Sequence, residues 1–172
     1  MSKFKAGQTE SIDNWKIVHK DKYGNIKDTD VISNRIVDEG LDYTLDAALN
    51  GNGVSEWYIG LISGDPTVAA SDTLSSHPGW IEITQYDATT RNTWNSGSVV
   101  NQQITNEGNP ATFIFNEDGL TVGGAMLVSN NTKGGTTGIL YAAGAFEKGN
   151  KLFDEGDVIE VTAEFGNSYD EE

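Results

Sequence analysis

The sequence predicts a mainly β protein: an antiparallel β-sandwich or jelly roll with one short α-helix and an N-terminal arm or hairpin. Three observations predict it. Short apolar runs of strand length recur along the chain, with turn residues about every 8–12 positions, the spacing of sandwich strands. The 20 glycines and 3 prolines are dispersed rather than repeated, which suits many tight turns. A single segment carries helical spacing; the rest alternates or runs apolar over a few residues.

Taken in order, residues 1–11 read as a polar arm around Gly7. Ile12 to Asp21 alternates through Trp15 and Ile17, Tyr23-Gly24-Asn25 signals a turn, and Ile26 resumes extended chain, a candidate hairpin over 12–33. Leu41 to Leu49 is the helix. Leu41, Leu45, Ala48 and Leu49 share one stripe expected to face a core, Asp38 and Glu39 sit at its positive end, and Asn50-Gly51 stops it. Strands follow at 57–62, 80–86, 111–115, 120–128, 139–146 and 158–165, with a possible helical turn at 71–76. The last strand alternates most regularly, with Val158, Glu160, Thr162 and Glu164 on a wet face and Ile159, Val161, Ala163 and Phe165 on a buried one. The expected organisation is an arm and hairpin over 1–39, a candidate attachment segment, a sandwich body over 40–166 and an acidic tail over 167–172.

Charge divides the chain. Residues 1–40 hold seven bases and seven acids, so the remaining four bases and nineteen acids give the body the whole net charge of −15. An acidic body repels phosphate backbones, which argues against nucleic acid as a partner. Most of these charges read as a solvated surface; the neutral, lysine-bearing start could instead face a partner. With no cysteine, disulfides and thiolate metal sites are excluded. The polar start has no signal-like apolar stretch, and no apolar run has the length of a membrane span, so a cytoplasmic, membrane-free protein is expected.

Chemical motifs are sparse. His19 and His77 stand apart from any zinc-type spacing and read as hydrogen-bonded structural residues. No nucleophile elbow occurs, and Lys133-Gly134-Gly135 has the wrong order for a phosphate loop and reads as a turn. Asp154-Glu155-Gly156-Asp157 lacks the alternating oxygen ligands of a calcium loop. The four tryptophans, Trp15, Trp57, Trp80 and Trp94, suit packing better than sugar stacking. No enzyme, cofactor or metal is expected.

The stretch from Val37 to Asp46, Val-Asp-Glu-Gly-Leu-Asp-Tyr-Thr-Leu-Asp, resembles the "NEGLNYLLD" helix of a widespread group of tailed-bacteriophage virion proteins. Trp57 to Ile62 follows at the group's distance, then Ser71 to Trp80, Glu82, Tyr86 and Arg91, which resemble its "ADTxxSHxGWxExxxY" stretch and downstream Arg. Residues 134–141 and 156–162 look like its closing strands, so the resemblance spans about residues 30–165. It implies a non-enzymatic capsid decoration (cement) protein on the outside of the head, in contact with the major capsid protein and with itself as a homotrimer, on the virion after assembly in the host cytoplasm. The alternative in the same group is a head or tail fibre, a receptor-binding module for a host-surface glycan or protein.

The matching residues Trp57, Gly60, Asp72, His77, Gly79, Trp80, Tyr86 and Arg91 then form a packing motif, in which Asp72 caps the 73–76 turn, His77 lies beside a buried Trp80, and Arg91 pairs with Glu82 or Asp87. Capsid attachment falls to the segment outside the match, with Lys3, Lys5, Lys16, Lys20, Lys22 and Lys27 as candidates. The competing reading makes 12–33 an ordinary hairpin of the sandwich.

Overall fold

Alternating burial sets the framework, because each strand that hides every second side chain must pair with neighbours that hide theirs on the same side. A computed structural model describes residues 9–13 and 15–169, with side chains for 15–166. In chain order the elements are β1 (Thr9–Asp13), β2 (Trp15–Lys20), β3 (Ile26–Ile36), α1 (Asp38–Asn50), β4 (Tyr58–Ser63), β5 (Ile81–Ile83) and β6 (Asn92–Thr93), then β7 (Gln103–Thr105), β8 (Ala111–Ile114), β9 (Leu120–Val128), β10 (Leu140–Phe146), β11 (Lys151–Phe153), β12 (Val158–Thr162) and β13 (Glu164–Tyr169). The fold is mainly β and antiparallel, with one helix among the described residues.

The large sheet runs β5-β4-β9-β10-β3-β2-β12-β8, with β11 on β9 and β6 on β4; a three-stranded sheet runs β1-β13-β7. The large sheet curls, bringing side chains from both of its wings into one sandwich-like core. Trp15 and Ile17 of β2, Ile59 and Leu61 of β4, Phe113 of β8, Val122 and Leu127 of β9, and Ile159 and Val161 of β12 meet there. On β12 Ile159 and Val161 are buried and Val158 and Glu160 half-exposed, as the alternation predicts, but Thr162, expected on the wet face, is buried as well. The central strands are buried on their other face too. Ile62, Met126, Val128, Leu140 and Ala143 form a second apolar cluster, roofed by Leu74 and Trp80 from the 66–80 segment and by Val37 before α1.

The hairpin β2–β3 lies inside the large sheet, with β3 on β10 and β2 on β12, so it shares the sheet of the 40–166 body. Asp21 closes its turn by accepting the backbone N–H groups of Tyr23 and Asn25, and Gly24 supplies the left-handed residue (φ 87). β1 occupies residues 9–13, spanning the end of the stretch read as an arm over 1–11 and the start of the expected strand, and β13 extends to Tyr169, within the stretch read as a tail; each is ordered as a strand by pairing with the other. Residues 1–8, with Lys3 and Lys5, and residues 170–172 lie outside the described residues. No helical turn forms at 71–76. Thr73 and Ser76 instead exchange backbone hydrogen bonds at 3.0 and 3.1 Å in a tight turn, because the segment must lie flat over the outer cluster.

The hairpin is tied to the body by buried charge. His19 Nε2 lies 3.0 Å from Asp157 Oδ2, which also accepts from Lys27 Nζ at 2.8 Å. Lys151, nearly buried, bridges Asp28 and Asp30 at 2.6 and 2.8 Å. Burial lowers the His19 pKa below 6.5 by disfavouring the charged ring, against the Asp157 hydrogen bond, which pulls it up. Burial alone would raise the Asp157 carboxyl, but hydrogen bonds from Lys27 and His19 outweigh it and hold the group below 3.8.

Two predictions follow from this packing. Ile159→Asp and Val161→Asp each bury an unpaired carboxylate and should cost on the order of 4 kcal/mol or more, whereas Val158→Asp should cost about 1 kcal/mol; urea unfolding of the three variants checks the assignment of faces. Both buried groups have depressed folded-state pKa values, so the unfolded chain binds more protons in acid. Their contribution is full above about pH 6.5, is lost first through His19 as pH falls below 6.5, and then through Asp157 below 3.8. Urea midpoints should therefore fall from pH 7 to pH 5, and His19→Gln should flatten that slope.

Candidate interaction surface

The motif residues at 57–91 divide between the two faces of the central strands, with Trp80 in the outer cluster and Trp57 and Tyr86 against the inner core, and each is used in packing. Arg91 is fully buried and sends its guanidinium fork to Glu82, with Nε to Oε1 at 2.8 Å and Nη2 to Oε2 at 2.7 Å. Two further donors reach the carbonyls of Asn130 and Gly135, both at 2.8 Å. Of the two carboxylates expected, Glu82 is the partner. Gly60 gives room for this pair, since a Cβ there would overlap Met126 and crowd Glu82 Oε1. A Cβ at Gly79 would likewise overlap the Thr67 carbonyl oxygen, and the Gly79 carbonyl accepts the Thr67 N–H at 3.1 Å.

Asp72 does not cap the 73–76 turn. Its carboxylate is buried and accepts the Trp80 indole N–H at 3.0 Å and the Ala69 backbone N–H at 3.1 Å, because Trp80 brings a donor into a dry site that must be satisfied. His77 stacks on Trp80 with ring centroids 3.7 Å apart and donates Nδ1–H to the Trp80 carbonyl at 3.0 Å. Tyr86 is buried edge-on against Phe113, with Lys133 Nζ 3.8 Å from its ring centre, and burial pushes its hydroxyl pKa up. These side chains form a packed cluster whose donors and acceptors are largely consumed internally, the buried Tyr86 hydroxyl being left without a hydrogen-bond partner among the described residues.

The candidate lysines are spread over the hairpin. Lys16 pairs with Glu107, Lys20 with Glu160 and Lys27 with Asp157, while Lys22 lies against the Tyr23 ring. The structure therefore places three of them in ion pairs within the chain. Among the described residues no group of three or more His, Asp or Glu is placed to hold a metal ion, and no helix is long and apolar enough to cross a membrane.

The largest departure from sequence expectation is α1. Leu41, Leu45 and Leu49 were expected to face a core, yet they are 51%, 61% and 79% exposed. The face turned to the sheet is small and aromatic instead. Gly40 presses on the backbone of β10, where a Cβ would overlap the Tyr141 carbonyl oxygen. Thr44 hydroxyl donates to the Gly40 carbonyl at 2.9 Å and lies 3.2 Å from the Tyr141 hydroxyl, and Tyr43 packs edge-on to Trp57 at 5.0 Å. The start of the helix is pinned: Val37 N–H donates to Tyr141, Asp38 N–H to Ala70, and Glu39 accepts the Leu140 N–H. The close approach admits only small residues, and the leucine ridge is rotated outward.

Between the rest of the helix and the sheet lies an apolar cavity of about 580 Å³, walled mainly by Tyr43, Trp57, Trp94, Tyr141 and Phe165, with Ala48 and Val99 at its exposed rim. The leucine ridge continues from Ala48, so cavity and ridge form one apolar surface. Sequence reasoning missed it; the signal available was Gly40 on the face opposite the leucines, with Asp38, Asp42 and Asp46 running beside them.

No protein-family model matches the chain, and no curated protein matches it.

Arg91→Ala should leave Glu82 buried without its counter-charge and cost about 3–5 kcal/mol in urea unfolding. Arg91→Lys should recover only part of this, because an ammonium cannot span the four acceptors in one plane.

Proposed function

We propose that this protein is a non-enzymatic structural component of a tailed-bacteriophage virion, a decoration protein that sits on the outside of the head, binds the major capsid protein and associates with itself as a trimer. The observation that carries this reading is the division of labour in the chain. The motif shared with that phage group is spent on internal packing, while the exposed apolar surface is gathered at α1 and the aromatic cavity beside it. An apolar patch with a charged rim is the composition of a protein–protein contact. The resemblance at residues 37–91 supplies the kind of assembly, and the net charge of −15 disfavours DNA inside the head as the partner.

A second reading, a head or tail fibre module that recognises a host-surface glycan or protein, draws on the same cavity, since Trp57, Trp94 and Tyr141 offer rings on which sugars stack. The walls supply few polar groups to orient hydroxyls, and Thr44 is already bonded to Gly40 and Tyr141, which favours an apolar side chain over a sugar.

Copy number in purified virions separates the two. A decoration protein repeats with the shell and should be present on the order of hundreds of copies, a fibre in tens or fewer. Absence from virions would overturn both.

A further inference from the structure

The cavity under α1 is walled by rings that turn around it. Tyr43 stands edge-on to Trp57 at 5.0 Å and 77°, Trp57 to Tyr141 at 5.3 Å and 65°, Tyr141 to Phe165 at 5.3 Å and 87°, and Phe165 to Trp94 at 5.8 Å and 88°. Successive planes stand steeply to one another, so a group inside meets ring faces from several directions. Ring faces carry negative potential. The outer lip is fixed. Val100 and Gln103 exchange backbone hydrogen bonds, both at 2.9 Å, around Asn101 and Gln102, whose φ values of 50 and 60 make a mirror-image hairpin turn beside Val99.

The electrostatics favour a cation there. Helix α1 ends at this cavity: Ala47 and Ala48, in its last turn, line it, and no basic residue in that turn offsets the negative end of the helix dipole. Asp46, immediately before them, adds a carboxylate, and side-chain hydrogen bonds from Asn50 and Asn52 lower its pKa, so it stays ionised. The body to which the cavity belongs carries the whole net charge of −15. The chain uses the same attraction elsewhere, where Lys133 Nζ lies 3.8 Å from the centre of the Tyr86 ring.

The described lining holds no charged side chain and few hydrogen-bond acceptors. A lysine or arginine head would leave N–H donors unmet in it, whereas a quaternary ammonium has none to satisfy. At about 580 Å³ the space is of small-ligand size. We propose that this cavity binds a quaternary ammonium group of the choline type, held by the ring faces and drawn in by the acidic surroundings. The inference concerns the cavity alone. It does not rest on the virion reading, and it leaves the leucine ridge to protein contact.

Titrations followed by nuclear magnetic resonance at constant ionic strength test it. Choline is compared with its uncharged isostere, in which a tert-butyl group replaces the trimethylammonium. Choline should bind at least about tenfold more tightly. Trp57→Leu and Tyr43→Leu each keep an apolar side chain but remove a ring; they should weaken choline about tenfold and the isostere about twofold or less. Urea unfolding checks that each variant is folded, and either one suffices. Vesicles of phosphatidylcholine form a further arm. Flotation with the vesicles that free choline competes away assigns the group to a lipid headgroup; choline binding without flotation assigns it to a free small molecule. Equal affinity for choline and its isostere overturns the proposal and leaves the cavity to an apolar side chain. Choline binding that a folded variant does not weaken overturns it too, because the cation then sits elsewhere on the acidic surface. So does the absence of choline binding.

Discussion

The Arg91 guanidinium holds together parts of the chain that no strand ladder joins. It grips Glu82 of β5, adjoins β6, and binds the carbonyls of Asn130 and Gly135 in the turn between β9 and β10. A charge this deeply buried is tolerable only when its hydrogen-bonding capacity is met, and here carboxylate and carbonyls surround it. Its presence dictates other choices. A Cβ at Gly60 would overlap the Met126 methyl and crowd Glu82, and the Gly134 N–H gives Glu82 a further donor. The short β5 and β6 strands pair with β4 over only three and two residue pairs, and Arg91 reinforces those brief ladders.

A second charged knot does the same work at the opposite side of the sheet. His19, Lys27 and Asp157, with Lys151, Asp28 and Asp30, join the β2–β3 hairpin to the closing strands. This explains the neutrality of residues 1–40 in physical terms. Lysines of the hairpin face carboxylates of the body, so Lys16, Lys20 and Lys27 offset Glu107, Glu160 and Asp157 across strand contacts. Charge balance along the sequence reflects pairing in space.

What could be read from the sequence was whatever has a period or a rarity. β12 alternates over its first four residues and was assigned there with the right buried face, Thr162 at its end being buried against expectation; β4, β9 and β10 are apolar runs whose double-sided burial follows from their composition. Arg91 was legible because bases are scarce in the body and a fork seeks a carboxylate. β6, β7 and β11, two or three residues each, are too short to show a period. The orientation of α1 was misread because hydrophobicity marks which face prefers to be dry, while the spacing between helix and sheet decides which face fits. Gly40 wins that contest, since only a residue without a Cβ allows the helix to rest on the Tyr141 carbonyl. The role of Asp72 was misread for a related reason: a local cap was assumed where a residue eight positions away supplied the donor.

The pairing of β2 with β12 joins residues near 17 to residues near 161. Sheet topology therefore sets the order of events on the ribosome. The β2–β3 hairpin is made early and can form its own turn, but one long edge of β2 stays open until nearly the whole chain has been synthesised. Distant closures of this kind are slow, and an unpaired strand is a template for the wrong neighbour. Lys16 and Lys20 of β2 meet Glu107 and Glu160, both from the late-made part of the chain, so these two ion pairs can form only when the sheet closes.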